Sequence, residues 1–405
     1  MKNGLFISFL FVVLFFFNSN LAIAASHTID DPKSCAAFGG QWASNAELPP
    51  QIGRCVLPEP LVVNSGDQVF IGPGVVLVLN AATNQLSGNL YVSNTAVLRI
   101  LAGTRNTGVI DIEDNAELQL WGGWLDNAGL VQTEGLVEIF PNIVLYNTGT
   151  LRNFGGGEIN NDGRILMYQV RGNCTIINEP GNDIINRKEV YVIAPCVLTN
   201  QGFLDNQSMA TMVVNGYLSN ENGGDLRNRG WLDVSSGELR NDGSTLENRG
   251  SGKLWAYGSG KIVNSGAAML SNRDTARIQI SAPSVLNNQN MAQIQNHANT
   301  EILIDDGTIN NSATFVNYGN IKNDTTNNNT RGEFNNHSGG YLDNKAGANV
   351  FNTFGIFNNN SGATVNNSGE FWTCFGWYQG AGTFMGNAIN SCVPRPNFPT
   401  PPRLP

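Results

Sequence analysis

LRNRGWLDVSSGELRNDGSTLENRG, residues 226–250, holds three copies of one short phrase: an apolar residue, a free position, Asn, a second free position and Gly. The copies are Leu226-Asn228-Gly230, Leu239-Asn241-Gly243 and Leu246-Asn248-Gly250. Moving outward, apolar-x-Asn recurs upstream at Leu125-Asn127, Leu145-Asn147, Leu151-Asn153, Ile159-Asn161, Leu198-Asn200, Leu204-Asn206 and Leu218-Asn220. Downstream it continues through Ile262-Asn264, Ile294-Asn296, Phe315-Asn317, Phe334-Asn336, Leu342-Asn344, Val350-Asn352, Phe357-Asn359 and Val365-Asn367. The steps from Asn336 to Asn367 are 8, 8, 7 and 8 residues. Such an interval is too short for a helical repeat or a four-stranded blade and suits one side of a β-solenoid coil.

Between Gly, Asn and Pro turn signals, the apolar runs are only three to five residues long, rich in Val, Ile and Leu. Runs of that kind read as short strands, and sustained helical periodicity is absent. In a strand, the apolar residue and the Asn two places on share a face. The expected arrangement puts the apolar residue in the lumen and Asn at the corner, where it tolerates left-handed backbone angles, with Gly supplying a second permissive site. Stacked about 4.8 Å apart, the corner amides could then bond along the rod. The expected ladder comprises Asn228, Asn241, Asn248, Asn264, Asn344, Asn352, Asn359 and Asn367. Three sides of seven or eight residues predict an all-β, single-stranded, right-handed parallel β-helix of roughly 20 to 24 residues per coil over residues 61–370.

Residues 1–24 read as a secretory signal peptide: Lys2, an apolar run from Leu5 to Phe17 broken by Ser8, and a small-residue processing site at Ala22-Ile23-Ala24. That run is too short to span a bilayer, so no transmembrane anchor is expected in the mature chain. The chain carries a net charge of −9 and only 14% charged residues, which excludes the basic footprint of a nucleic-acid binder. Its six cysteines fall into neighbouring couples, Cys35 with Cys55, Cys174 with Cys196 and Cys374 with Cys392. In an exported chain they read as three disulfides, the neighbour pairing favoured among fifteen connectivities. Residues 25–60, with Trp42 as plug, and the aromatic segment 371–393 are expected to be disulfide-tied caps over the solenoid ends. The proline-rich residues 394–405 are expected to be an extended tail.

Chemistry is sparse. The three histidines, His27, His297 and His337, stand in no nucleophile motif, and His297 and His337, each following a ladder Asn, read as solvent-facing. Metal-ligand spacing is lacking, and no cofactor is expected. Because parallel β-helices include pectate lyases and polygalacturonases, the pair Asp305-Asp306 is the catalytic candidate for glycoside cleavage. It lacks the G-H-G and R-x-K elements of polygalacturonases, and Asp306-Gly307 also reads as a turn. Asp111, Glu113 and Asp114 form a weaker acidic candidate for a lyase calcium site. Eight N-x-[ST] sequons are present, Asn173, Asn206, Asn336 and Asn366 among them.

The phrase Gly237-Glu238-Leu239-Arg240-Asn241-Asp242-Gly243 resembles the repeats of bacterial filamentous-haemagglutinin-type adhesins and other exported right-handed β-helix proteins. The likeness covers about Leu61 to Gly369, without an evident two-partner secretion domain and with a proline-rich end unlike an autotransporter barrel. It implies an exported, surface or periplasmic adhesin or structural protein that binds a polysaccharide or a surface protein, or associates with itself. A polysaccharide lyase or glycoside hydrolase of pectin-lyase-like fold is the alternative. The outward free positions Arg227, Arg229, Arg240, Asp242, Glu247 and Arg249 are where a partner would be read.

Overall fold

Asp225–Asn228, Trp231–Val234 and Glu238–Asp242 are consecutive short strands, and the next, Thr245–Asn248, lies beside the first. The pairing is parallel, with Leu226 opposite Leu246 and Asn228 opposite Asn248. Three strands therefore complete one circuit, and the following circuit stacks on it in register. The computed structural model describes residues 25–44, 53–169, 174–324 and 331–392. Across them the chain forms a right-handed parallel β-solenoid of about 15 turns. The segments expected to be a signal peptide, residues 1–24, and a proline-rich tail, residues 394–405, lie outside the described residues.

Three parallel stacks make the sides. The first, of 16 strands, begins with Ser26–Ile29 and ends with Trp377–Gln379; the third, also of 16, runs from Val62–Val63 to Ile389–Ser391. The second runs from Gly53–Leu57 to Thr383–Gly386, with Gln41–Ala43 laid antiparallel on its first strand. In a typical four-residue strand the second and fourth side chains are buried and the first and third are not. Alternation alone thus fills the lumen. Leu204, Leu226, Leu246, Leu270 and Ile294 form one register column of fully buried residues. Each contributes about 1.5–3 kcal/mol by leaving water.

The fourth strand residue differs between sides. On the second side the buried asparagines Asn161, Asn186, Asn206, Asn228 and Asn248 continue to Asn367, each Nδ2 donating to the next Oδ1 at 2.7–2.9 Å. A matching ladder on the first side runs from Asn153 through Asn241 and Asn264 to Asn359. The second amide proton bonds a backbone carbonyl, as Asn228 does to Lys253 O at 3.0 Å. Each interior member other than Asn311 therefore has both donors and its acceptor satisfied, which is what a buried amide requires. The first members have no preceding donor, and the Oδ1 atoms of Asn153, Asn161 and Asn323 are buried without a partner. On the third side Asn323 bonds Asn352 at 2.9 Å. The same side carries an earlier short ladder, Asn106 to Asn127 to Asn147 at 2.8 Å; between Asn147 and Asn323 the corresponding positions are apolar, Met167, Val192, Val214, Val234, Ala256, Ile280 and Ile304.

This corrects the expected role of asparagine. The ladder residues end strands and face the lumen, and none has a positive φ; the left-handed positions belong to turn residues such as Asn222, Asn290 and Asn299. Glycine also has two roles. Gly250 has φ +62° and turns the chain, whereas a Cβ on Gly230 would sit 2.2 Å from the Ala210 carbonyl oxygen of the coil beneath. The first needs conformational freedom, the second close approach.

Three disulfides tie Cys35 to Cys55, Cys174 to Cys196 and Cys374 to Cys392. Cys174 and Cys196 directly precede paired strands of adjacent coils, so this bond staples one corner. At the N-terminal end, a one-turn-plus helix, Pro32–Ala37, starts at a capping box between Asp31 and Ser34. Trp42 packs against the core nearby. Yet Ser26–Ile29 already pairs with Gln68–Ile71, so the solenoid begins inside the segment expected to be only a cap. The C-terminal segment likewise continues the coils, Glu370–Cys374 pairing with Asn349–Thr353. Its aromatic density reflects what fills this end: Phe334, Phe357 and Phe371 are buried, the first two stacked at 4.8 Å and the last two edge to face at 4.9 Å, and Tyr378 and Phe384 close over Phe371.

Candidate binding face

Because lumen positions absorb the aliphatic residues, aromatic rings at first and third strand positions are left outside. On the third side these include Trp124, Tyr146, Tyr191, Trp231, Trp255, Phe351 and Trp372. Trp124 and Trp231 are 39% and 40% exposed, large values for indoles. Register aligns two neighbouring columns on this face. One reads Trp231, Lys253, Arg277, Glu301; the other reads Asp233, Trp255, Gln279, Leu303.

Between these columns lies a shallow groove lined by Trp231, Lys253, Leu254, Trp255, Arg277 and Gln279. Lys253 Nζ lies 4.1 Å from the Trp231 ring centroid, a cation–π contact. Among the described residues no carboxylate pairs with it. Arg277 Nε is 3.1 Å from Glu301 Oε1 but lacks the alignment of a hydrogen bond. Lys322 Nζ also contacts Glu301. Trp255 is held by Nε1–H donating to Ser281 Oγ at 3.1 Å and by Tyr257 at 4.5 Å between ring centroids. Gln279 Nε2 donates to Ser281 Oγ at 3.1 Å and Asp305 Oδ2 at 3.3 Å. Asp233 lies beside Trp255, with its Oδ1 buried without a partner; burial pushes its carboxyl up to about 6.

The sequence-predicted candidates fall elsewhere. Asp305 ends the strand Glu301–Asp305 at the rim of this face, and Asp306 takes φ +60° at the corner. Among the described residues no group of three or more His, Cys, Asp or Glu could hold a metal ion, Asp111, Glu113 and Asp114 included. His297, expected to face solvent, is partly covered: Nε2 lies 3.1 Å from Ser271 Oγ and the ring stacks on Tyr318 at 6.2 Å. Burial, then the Arg273 charge, lowers its pKa. Ser271 is only 5% exposed, so the pair is closed to a substrate. Of the sequons, Asn206, Asn323, Asn336 and Asn359 are buried ladder members; Asn366 is on the outer face.

The second side carries a different surface. Glu247 gathers Arg227 at 3.6 Å, Arg249 at 3.6 Å and Arg273 at 2.7 Å, and Arg229 pairs with Asp205. Thus Arg227, Arg229 and Arg249 do face outward, but they are spent on the carboxylates of Glu247, Asp205 and Asp274. Burial raises the pKa of Glu138, Asp183 and Asp225 along the same side. On the first side a feature missed in the sequence emerges: Asn310, Asn335, Asn358 and Gln379 donate in turn to Asn287, Asn310, Asn335 and Asn358 at 2.6–3.1 Å. This outer amide row runs opposite in sense to the inner ladders.

No family model matches the chain, and no curated protein matches it. Among solved structures it is similar to a fragment of TibA, residues 55–350, hyper-glycosylated by TibC, with 14% identity and a TM-score of 0.21; the match covers 91% of this chain and 100% of that one.

Proposed function

We propose that the protein is an exported or cell-surface β-solenoid with an adhesion or structural role, binding glycan or protein through its outer faces. The observation that carries this reading is the row of outward aromatic rings on the third side. They stand on rungs of a rod whose lumen is separately packed, on adjacent rungs at Trp124 and Tyr146, at Trp231 and Trp255, and at Phe351 and Trp372. Indoles left in water at about two-fifths of their surface represent unrealised burial, and rigid outward rings are suited to stacking on sugar or peptide faces. A ladder-bonded scaffold supports this by holding such rings without ordering cost on binding.

The test combines localisation in the native organism with a glycan and surface-protein array probed by the mature chain. Export together with saturable binding to one ligand class is the expected result. Retention in the cytoplasm, or efficient cleavage of a polysaccharide from a broad panel, would overturn the proposal.

A further inference from the structure

We infer that the groove between Trp231, Lys253, Trp255 and Arg277 is a binding subsite for a carboxylated sugar residue of an acidic polysaccharide. The inference rests on the adhesion reading above and narrows it to one place and one ligand chemistry. Three observations converge. The groove pairs indole surface with cationic donors one rung apart, since Lys253 and Arg277 are register neighbours. In a chain of net charge −9 the lining of this groove holds two cations, Lys253 and Arg277, and no carboxylate; Glu301, Asp233 and Asp305 stand around it. Finally, Lys253 has no anion of its own among the described residues, and Arg277, whose buried Nε lies against Glu301, has a side chain 42% exposed, so Lys253 and the terminal nitrogens of Arg277 are the donors open to a ligand.

A sugar ring presents a C–H face and an edge of polar groups. Its face would stack on Trp255, which Ser281 and Tyr257 hold in place. Its carboxylate would accept charge-assisted hydrogen bonds from Lys253 and Arg277. Gln279 supplies an amide at the far wall. The footprint of six lining residues is far smaller than the roughly 20–30 residues a side of a stable protein interface. One or two sugar rings fit it better than a second copy of this chain.

The test uses the mature chain and fluorescence titration with oligogalacturonate, with its methyl-esterified form as the neutral counterpart. Lys253→Met retains the stem over Trp231 while removing the charge; Trp255→Ala removes the platform; Lys261→Met, on the first side, is the control. Circular dichroism verifies folding of each. Saturable binding of oligogalacturonate is expected, weakened at least tenfold by methyl esterification, by Lys253→Met and by Trp255→Ala, and unchanged by Lys261→Met. Equal affinity for the esterified form, or affinity unaffected by both groove variants, overturns the subsite. If other saccharides bind and are insensitive to these variants, the groove falls while glycan adhesion stands. If neither oligogalacturonate nor any glycan on the array binds, both fall. Concentration-dependent self-association abolished by Lys253→Met would assign the groove to a second copy and also overturn the inference.

Discussion

Asn248→Asp changes one buried amide nitrogen to oxygen in the middle of a ladder, almost without changing shape. Asn248 is fully buried; its Nδ2 donates to Asn272 Oδ1 at 2.8 Å and Arg277 O at 2.9 Å, and its Oδ1 accepts from Asn228 at 2.8 Å. A carboxylate there would aim an oxygen at two acceptors, so the folded state holds the neutral acid, which restores one donated bond. Keeping a carboxyl of unfolded pKa about 3.9 protonated at pH 7 costs about 4 kcal/mol. The bond not restored leaves a buried acceptor unpaired, a further 1–3 kcal/mol or so. The expected penalty is therefore about 5–7 kcal/mol at pH 7. Since the folded state holds the extra proton, the penalty shrinks by about 1.4 kcal/mol per unit as pH falls, reaching roughly 1–3 kcal/mol near pH 4. Asn248→Ala severs the same bonds without a titrating group and should be insensitive to pH. Urea unfolding between pH 4 and 8 measures both, with amide exchange over residues 245–272 reporting local loss, because a repeat array weakens at the cut interface. A pH-independent penalty for Asn248→Asp, or one under about 2 kcal/mol at pH 7, would refute the ladder as a fully used hydrogen-bond chain.

Asp233→Asn should stabilise the protein at pH 7–8. The shift from 3.8 to about 6 corresponds to at most about 3 kcal/mol, reduced to about 1 kcal/mol by partial exposure. A folded pKa above the unfolded one means that wild type gains stability as pH falls from about 6 to about 4, so the variant's advantage vanishes there; thermal midpoints across that range decide it, and a variant less stable at pH 8 contradicts the desolvation account. Removing the Cys174–Cys196 disulfide, which closes a separation of 22 residues, should cost up to about 3 kcal/mol, read by urea unfolding of a double serine variant. Phe357→Ala, at the centre of the terminal ring stack, should cost about 3–5 kcal/mol. In exchange experiments it should strip protection from residues 370–391 while leaving 110–140 intact; uniform loss along the rod would argue against coil-local stability.

How much of this was legible in the sequence depends on which face a residue serves. The phrase at Leu226, Asn228 and Gly230 conveys strand length, coil period and lumen filling, because alternation and turn chemistry are local. It misleads about asparagine, since a strand-ending lumen Asn and a left-handed turn Asn stand equally close to Gly, and only burial separates them. Much of the third side was hidden because its strands from Met167 to Ile304 end in residues such as Val192, Val214 and Val234, which turned one side of those coils into an apparent gap in the repeat. Doublets such as Asn310-Asn311 and Asn335-Asn336 each place one amide inside and its neighbour outside. The groove could not be read at all. Trp231 and Trp255 become neighbours only once coil length and register are known, and nothing in their local sequence marks them.

The unpaired oxygens at Asn153, Asn161 and Asn323 show that a ladder has a costly beginning and an inexpensive continuation. Adding or removing one whole turn within a ladder, for instance the span between Asn228 and Asn248, rejoins donor to acceptor and creates no new start. A deletion of part of a turn would offset all three sides at once. The rod can therefore change length over evolutionary time in single-turn increments, carrying its outward rings to a new reach while the interior chemistry stays the same.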